Sequence, residues 1–243
     1  QAPKTDHLRQ QIDRILARGY TRPAFIGYKD LIRGLVPEGI TPDRIAHFGG
    51  SRGTNRLQDC DCLIVIGAPQ PPTPQLLDMA AMLYFERDAP FDTTWSTRDI
   101  PYANQAWAWP IGGFWDDPQL QALIEQTRES ELVQAIHRAR PLIRDVDIWL
   151  LTNVPLPNIP VELVSLHDLF DAPAGIDAYR WPEIAQKAQA RMDAAGMVTT
   201  ADLTTLCTAP AAKKYLEALA QRHGWDLVKA PASGRGQPPL ACV

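Results

Sequence analysis

Two stretches of the chain concentrate residue types from which chemistry could be built. The first runs His47-Phe-Gly-Gly-Ser-Arg52-Gly53-Thr54-Asn55, with Asp59 and Asp61 just beyond it. Glycine lets a main chain approach a phosphate or ribose closely, and an amide side chain such as Asn55 accepts hydrogen bonds. A plain turn between strands also explains such a run. The second is Glu131-Leu-Val-Gln134-Ala-Ile-His137-Arg138-Ala-Arg140, followed by Arg144. Its arginines suit either a phosphate site or a solvated basic helix face.

Other chemistries find less support. His7, His47, His137, His167 and His223 are dispersed, with no His-Glu-x-x-His spacing for a metal. Asp59 and Asp61 suggest a nuclease-like carboxylate pair, but partners are not evident and a strand terminus explains them. Gly49-Gly50-Ser51 lacks the Gly-x-Ser-x-Gly elbow of a serine nucleophile. Cys60-Asp-Cys62 is too tight for a zinc knuckle; the thiols read as small hydrophobes that share a face if both lie on one strand. No Gly-x-x-x-x-Gly-Lys-Ser/Thr phosphate loop occurs, and no Asp-Glu-x-x strand end precedes the first stretch.

The elements around these stretches follow from apolar patterning. Asp6 to Arg18 has helical spacing. Ala24–Tyr28, Ile45–Phe48, Asp61–Ile66 and Val146–Leu151 are continuous apolar runs, as in a parallel sheet covered on both faces. Lys29 to Leu35, Gln75 to Phe85 and Pro118 to Ala139 read as helices, the last a single long one. Residues 90–118 carry Trp95, Tyr102, Trp107, Trp109, Phe114 and Trp115 and read as an irregular or β-hairpin insertion. Its aromatic cluster is expected to pack onto the domain rather than to stack bases. Residues 1–172 therefore form an α/β domain. Beyond it, Trp181–Ala195, Thr200–Cys207 and Pro210–His223 read as helices. Strands near Trp225–Val228 and Leu240–Val243 complete a winged-helix-like α+β tail, residues 173–243.

The first stretch, with a following strand that ends Gly67-Ala-Pro69, resembles motif V of superfamily-2-type nucleic-acid helicases. Arg52 and Gly53 match; Asn55 stands where many members carry Asp, which keeps the oxygen acceptor and loses the charge. The second resembles motif VI, whose common form is QxxGRxxR on a helix. Gln134 and Arg138 fall on its Gln and first Arg. His137 replaces Gly, and Pro141 occupies the place of the final Arg, with Arg140 one residue early. The two stretches come in the family's order, about 80 residues apart. Ala24–Tyr28 looks like motif IV, and Trp149-Leu-Leu-Thr-Asn-Val-Pro155 like the domain's last strand. The wording is most similar to helicase-like proteins of plasmids, phages and integrative elements, over roughly residues 5–170.

The resemblance implies the C-terminal RecA-like domain of a helicase or translocase. It assigns Arg138 and Arg140 as candidate arginine fingers, Gly53, Asn55 and Gln134 to ATP, and Arg52 and Thr54 to nucleic acid. An arginine finger is worth roughly 10³–10⁵ in rate in related nucleotidases. ATP and Mg²⁺ are expected only together with an N-terminal motor domain that this chain lacks, so the chain is not expected to turn over ATP alone. The first methionine is Met79, inside a folded domain, and the chain reads as a processed product or excised fragment.

Net charge is −4 and the sequence pI about 5.7, so no global basic field advertises nucleic acid, and contact must come from local patches. Lys213, Lys214 and Arg222 on the third tail helix and Arg235 in the wing are the candidates. The expected partners are nucleic acid, DNA before RNA, and the motor domain. No run is long and apolar enough for a membrane helix, no signal peptide opens the chain, and a cytoplasmic protein is expected. The alternative is a non-catalytic DNA- or partner-binding module of a mobile-element replication protein.

Overall fold

The computed structural model describes residues 2–50, 55–106, 108–154, 156, 159–229 and 240–242. The chain divides into two compact units, Gln1–Leu163 and Val164–Val243. Among the described residues no helix is long and apolar enough to cross a membrane.

The first unit is a mixed α/β structure built on a parallel sheet. Helix α1 (Ala2–Leu16) leads to β1 (Pro23–Gly27), α2 (Lys29–Leu35) and β2 (Ile45–His47). Then follow β3 (Cys62–Ile66), α3 (Thr73–Leu83), a ribbon of β4 (Trp95–Ile100) and β5 (Trp109–Trp115), and α4 (Pro118–Ile124). A π-helical segment (Glu125–Glu129) joins α4 to α5 (Ser130–His137), and β6 (Asp147–Leu151) closes the unit. The sheet order is β2-β1-β3-β6, with every pairing parallel.

Alternation along the strands sends their side chains to two faces. Ala24, Ile26, Ala46, Leu63 and Val65 share one buried cluster with Leu132, Ala135, Ile136 and Ala139 from α5 and the turn after it. Gly27 faces the other side, against Ile32 of α2. There a Cβ would lie 2.7 Å from the Ile66 carbonyl oxygen and 3.2 Å from the Ile32 side chain. Helices thus cover both faces, and the continuous apolar runs are explained.

From β1 the chain crosses to β2 on one flank and then to β3 on the other. That reversal makes the carboxyl ends of β1 and β3 a topological switch point, the usual ligand position in open α/β sheets. Tyr28 lies there: its hydroxyl donates to the Ala68 carbonyl (3.0 Å) and accepts from the Gln70 amide (2.8 Å).

The residues expected to form one long helix over 118–139 instead form α4, the π segment and α5. The added residue per turn shifts the helix phase between two different cores. Leu120, Leu123 and Ile124 pack with Leu76, Ala80 and Trp115, whereas Leu132, Ala135 and Ile136 pack on the sheet. Inside the π segment Arg128 and Glu129 are both buried and ion-paired, and Arg128 Nη1 also reaches the Gly113 carbonyl at 3.5 Å.

The aromatic insertion is an antiparallel ribbon. Trp115 is buried and Trp95 lies tilted against it, ring centroids 3.9 Å apart and planes at 35°, while Arg98 lies 4.7 Å from the Phe114 ring. The ribbon's connection is tied to the end of the unit: Ala103 N donates to the Val161 carbonyl at 2.9 Å. The Asn104 amide bonds both backbone groups of Leu163, at 2.9 and 2.8 Å.

The second unit contains α6 (Leu166–Phe170), α7 (Trp181–Ala195), β7 (Val198–Thr199), α8 (Thr200–Leu203), α9 (Ala209–His223), β8 (Leu227–Lys229) and β9 (Leu240–Cys242). Its antiparallel sheet has the order β7-β9-β8. Helix α8 is shorter than expected. Thr199 and Asp202 form a full capping box at its start, but Thr204 turns its hydroxyl back to the Ala201 carbonyl and the chain leaves the helix. Trp181, Ile184, Tyr215, Leu216, Leu219 and Ala241 supply this unit's core.

The crowding at Gly27 makes a direct test. Gly27→Ala should cost the first unit about 1–3 kcal/mol of stability, read as a lower urea midpoint by far-ultraviolet circular dichroism.

Candidate nucleotide and nucleic-acid site

Helix α5 owes its orientation to one apolar stripe. Leu132, Ala135 and Ile136 on the helix, with Ala139 just beyond it, recur at helical spacing and are buried, which leaves Gln134 and His137 exposed. Arg138 follows Gln134 by four residues and therefore sits one turn above it. It caps the helix, its amide donating to the Ala135 carbonyl at 3.1 Å. Its Nε is buried and has no hydrogen-bond partner among the described residues. Arg140 is exposed and left-handed, at φ 53°. A side chain there costs roughly 1–2 kcal/mol that glycine would not. Its amide donates to the His137 carbonyl and its own carbonyl accepts from Ile143, both at 3.1 Å, so the turn is held at both ends.

The other stretch starts at the carboxyl end of β2. Phe48 extends the pairing with a bond from its amide to the Gly27 carbonyl (3.2 Å), and Gly49 then turns at φ 72°. Arg52, Gly53 and Thr54 lie outside the described residues. Asn55 is exposed and its carbonyl accepts from the Gln58 amide at 3.2 Å. Two residues on, Leu57 enters the same buried cluster as Leu132, Ala135, Ile136 and Ala139, and so does Cys60. The loop after β2 and helix α5 therefore share one face of the sheet, which brings Asn55's segment and the Gln134–Arg138 helix to a common side.

Four buried side-chain polar atoms lack a hydrogen-bond partner among the described residues: His47 Nδ1, Trp115 Nε1, Glu129 Oε2 and Arg138 Nε. Two of the four fall in the two stretches singled out by residue type. An unpaired buried polar group costs roughly 1–3 kcal/mol, so these are places where a further group would be welcome. His47 opens the first of those stretches without a role assigned to its ring, and Tyr28 had no candidate role at all. The signal for Tyr28 was position, at the carboxyl end of an apolar run.

The acidic residues beside the first stretch are structural. Arg44 grips Asp59 with two bonds of 2.7 and 3.0 Å, which hold its carboxyl below the ordinary carboxylate range. Asp61 accepts from the Thr21 amide and hydroxyl and from the Arg22 amide at 2.7–2.9 Å. Its partial burial opposes ionisation, but those bonds outweigh it and its carboxyl also falls below the usual range. Cys60 precedes β3 and packs on the α5 side, whereas Cys62 lies on the strand one residue out of phase with Leu63; the two do not share a face. Burial pushes their thiols up, to about 11 and about 12. Among the described residues no group of three or more His, Cys, Asp or Glu is arranged to hold a metal.

In the second unit Lys213 and Lys214 are exposed on α9. Lys213 reaches Glu217 at 3.8 Å, and no ion pair to Lys214 occurs among the described residues. Arg222, on the same helix, is committed to packing: it bonds the Asp171 carbonyl at 2.7 Å and the Asp171 carboxylate, and lies over the Trp181 ring. Arg235 lies outside the described residues. No protein-family model matches the chain, and no curated protein or solved structure matches it.

The environment of Arg138 yields a stability test. Arg138→Met removes a buried donor with no partner and keeps most of the apolar stem, so the first unit should hold or gain up to about 1 kcal/mol in chemical denaturation. A loss larger than that would make Arg138 a structural residue.

Proposed function

We propose that this chain is the C-terminal part of an ATP-dependent nucleic-acid helicase or translocase, a RecA-like domain followed by a winged-helix-like unit. It supplies the arginine side of an ATP site shared with a phosphate-loop motor domain. The observation that carries the reading is Arg138: a guanidinium at the end of α5 whose buried Nε has no partner among the described residues. Arg140 stands two residues further on in a left-handed turn. An arginine there at a backbone cost, and a buried donor without an acceptor among the described residues, suit a site completed by another group's oxygens.

Each residue then has a chemical part. Arg138 and Arg140 bring fixed positive charge to the oxygens of the transferring γ-phosphoryl group, where negative charge grows in the transition state. Gln134, exposed one turn before Arg138, hydrogen-bonds the nucleotide or the attacking water. Gly53 allows main-chain approach, Asn55 accepts from the nucleotide, and Arg52 and Thr54 carry the same loop to the nucleic-acid backbone. The phosphate-binding lysine, the Mg²⁺ ligands and hence the bound ATP are assigned to the motor domain. Support for the RecA-like reading comes from the all-parallel sheet with its switch point at the β1/β3 reversal. The order α7-β7-α8-α9-β8-β9, with β9 between its two neighbours, supports the winged-helix-like reading, in which α9 presents Lys213 and Lys214 and the β8–β9 connection carries Arg235.

A second reading, a non-catalytic DNA- or partner-binding module, draws on one observation: the second unit has a core and sheet of its own. The two readings separate on turnover. In the protein carrying its motor domain, Arg138→Ala and Arg140→Ala should each cut nucleic-acid-stimulated ATP hydrolysis by about 10³-fold or more, with melting curves unchanged. Wild-type turnover in both variants would sink the motor reading.

A further inference from the structure

Among the described residues, five large apolar side chains are more than half exposed, and they fall in only two places. Met82, Leu83 and Phe85, at 70%, 60% and 78%, end α3 and begin the following turn. Leu142 and Ile143, at 84% and 71%, follow the left-handed Arg140. All other exposed large apolar residues lie at 45% or below. Exposed apolar side chains grouped in this way differ from the singly scattered ones of an ordinary surface.

The charges around the two clusters are opposite. Beside the first stand Asp78, Glu86 and Asp88, all exposed. Arg87 does not neutralise them, because its guanidinium is turned inward to Asp117 (2.8 Å), Gln119 (2.7 Å) and the Pro90 carbonyl (3.1 Å). Beside the second stand Arg140 and Arg144, exposed, with Asp145 the single acidic neighbour between residues 137 and 145. One cluster is apolar with an acidic rim, the other apolar with a basic rim.

The geometry points to self-association: the acidic-rimmed Met82-Leu83-Phe85 cluster of one copy receives the basic-rimmed Leu142-Ile143 cluster of a second copy of this chain. Apolar contact supplies the adhesion, and Arg140 and Arg144 against Asp78, Glu86 and Asp88 set partner and orientation. Because unlike surfaces meet, the contact is heterologous, and each copy retains one unused surface of each kind unless a ring closes. It covers the turn next to Arg138, so it competes with any partner that uses that arginine. Arg140 is shared with the proposed nucleotide site, so the two uses exclude one another in time, but association is read without nucleotide and turnover without association, and each can fail alone.

Complementation tests it. Sedimentation equilibrium over a concentration series should show reversible, salt-weakened association of the wild-type chain. Phe85→Asp and Ile143→Asp should each weaken the association constant about tenfold or more, with unchanged circular dichroism, since both side chains are on the surface. Mixing these two variants should restore a one-to-one complex, because each retains the surface the other has lost. Arg144→Glu should weaken association, and a Glu86→Arg partner should recover it. A wild-type chain that stays monomeric throughout would overturn the proposal, and so would a mixture that fails to associate when wild type does.

Discussion

The face that α5 and its following turn press onto the parallel sheet is the contact on which the rest of the first unit depends. Leu132, Ala135, Ile136 and Ala139 close over Ala24, Ile26, Ala46, Leu63 and Val65, and the same cluster takes in Leu57 and Cys60 from the loop after β2. Burying Leu132 and Ile136 alone contributes about 1.5–3 kcal/mol each. One packing event thus fixes two things that lie about 80 residues apart in the chain: the end of α5, where Arg138 sits, and the departure of the Asn55 loop. A parallel sheet makes this possible, since crossovers bring distant segments to one face.

The long connection from the ribbon to β6 has to serve two cores whose faces are not in phase. A uniform α-helix cannot turn both Ile124 toward Trp115 and Leu132 toward the sheet, so five residues wind as a π-helix between them. The buried Arg128–Glu129 pair lies in this segment. Such pairs rarely add net stability, because desolvation consumes the Coulombic gain, and the Arg128 bond to the Gly113 carbonyl ties the segment to the ribbon. The helix phase decides where Gln134 and Arg138 point. The ribbon, with Trp115 embedded and its tip bonded to Val161 and Leu163, therefore acts on the α5 end through the packing of α4.

Much of this was legible in residue order. The four apolar runs that form β1, β2, β3 and β6 are too continuous for a sheet with a wet face. The helices Lys29–Leu35 and Trp181–Ala195 end at Val36 before Pro37 and at left-handed Gly196, which local chemistry dictates. What could not be read depends on tertiary partners. The π segment has an ordinary helical composition and arises only because two cores compete for it. Asp59 and Asp61 look alike in sequence, yet one pairs with Arg44 across fifteen residues and the other caps Thr21 and Arg22 forty residues back. Cys60 and Cys62 separate because the strand starts between them. That Arg138 Nε has no partner among the described residues is likewise a property of its surroundings, not of its place in QxxGRxxR.

The central claim is that Arg138 and Arg140 await an oxygen-rich group from outside the described fold. On the proposed function the chain works with a phosphate-loop motor domain, and the most direct test is a structure of the two together, bound to a nucleic acid and a planar γ-phosphate analogue of ATP. The account predicts the Arg138 or Arg140 guanidinium within about 3 Å of the analogue's oxygens, with Gln134 on the same side. A fully bound analogue with both arginines turned to solvent would contradict it.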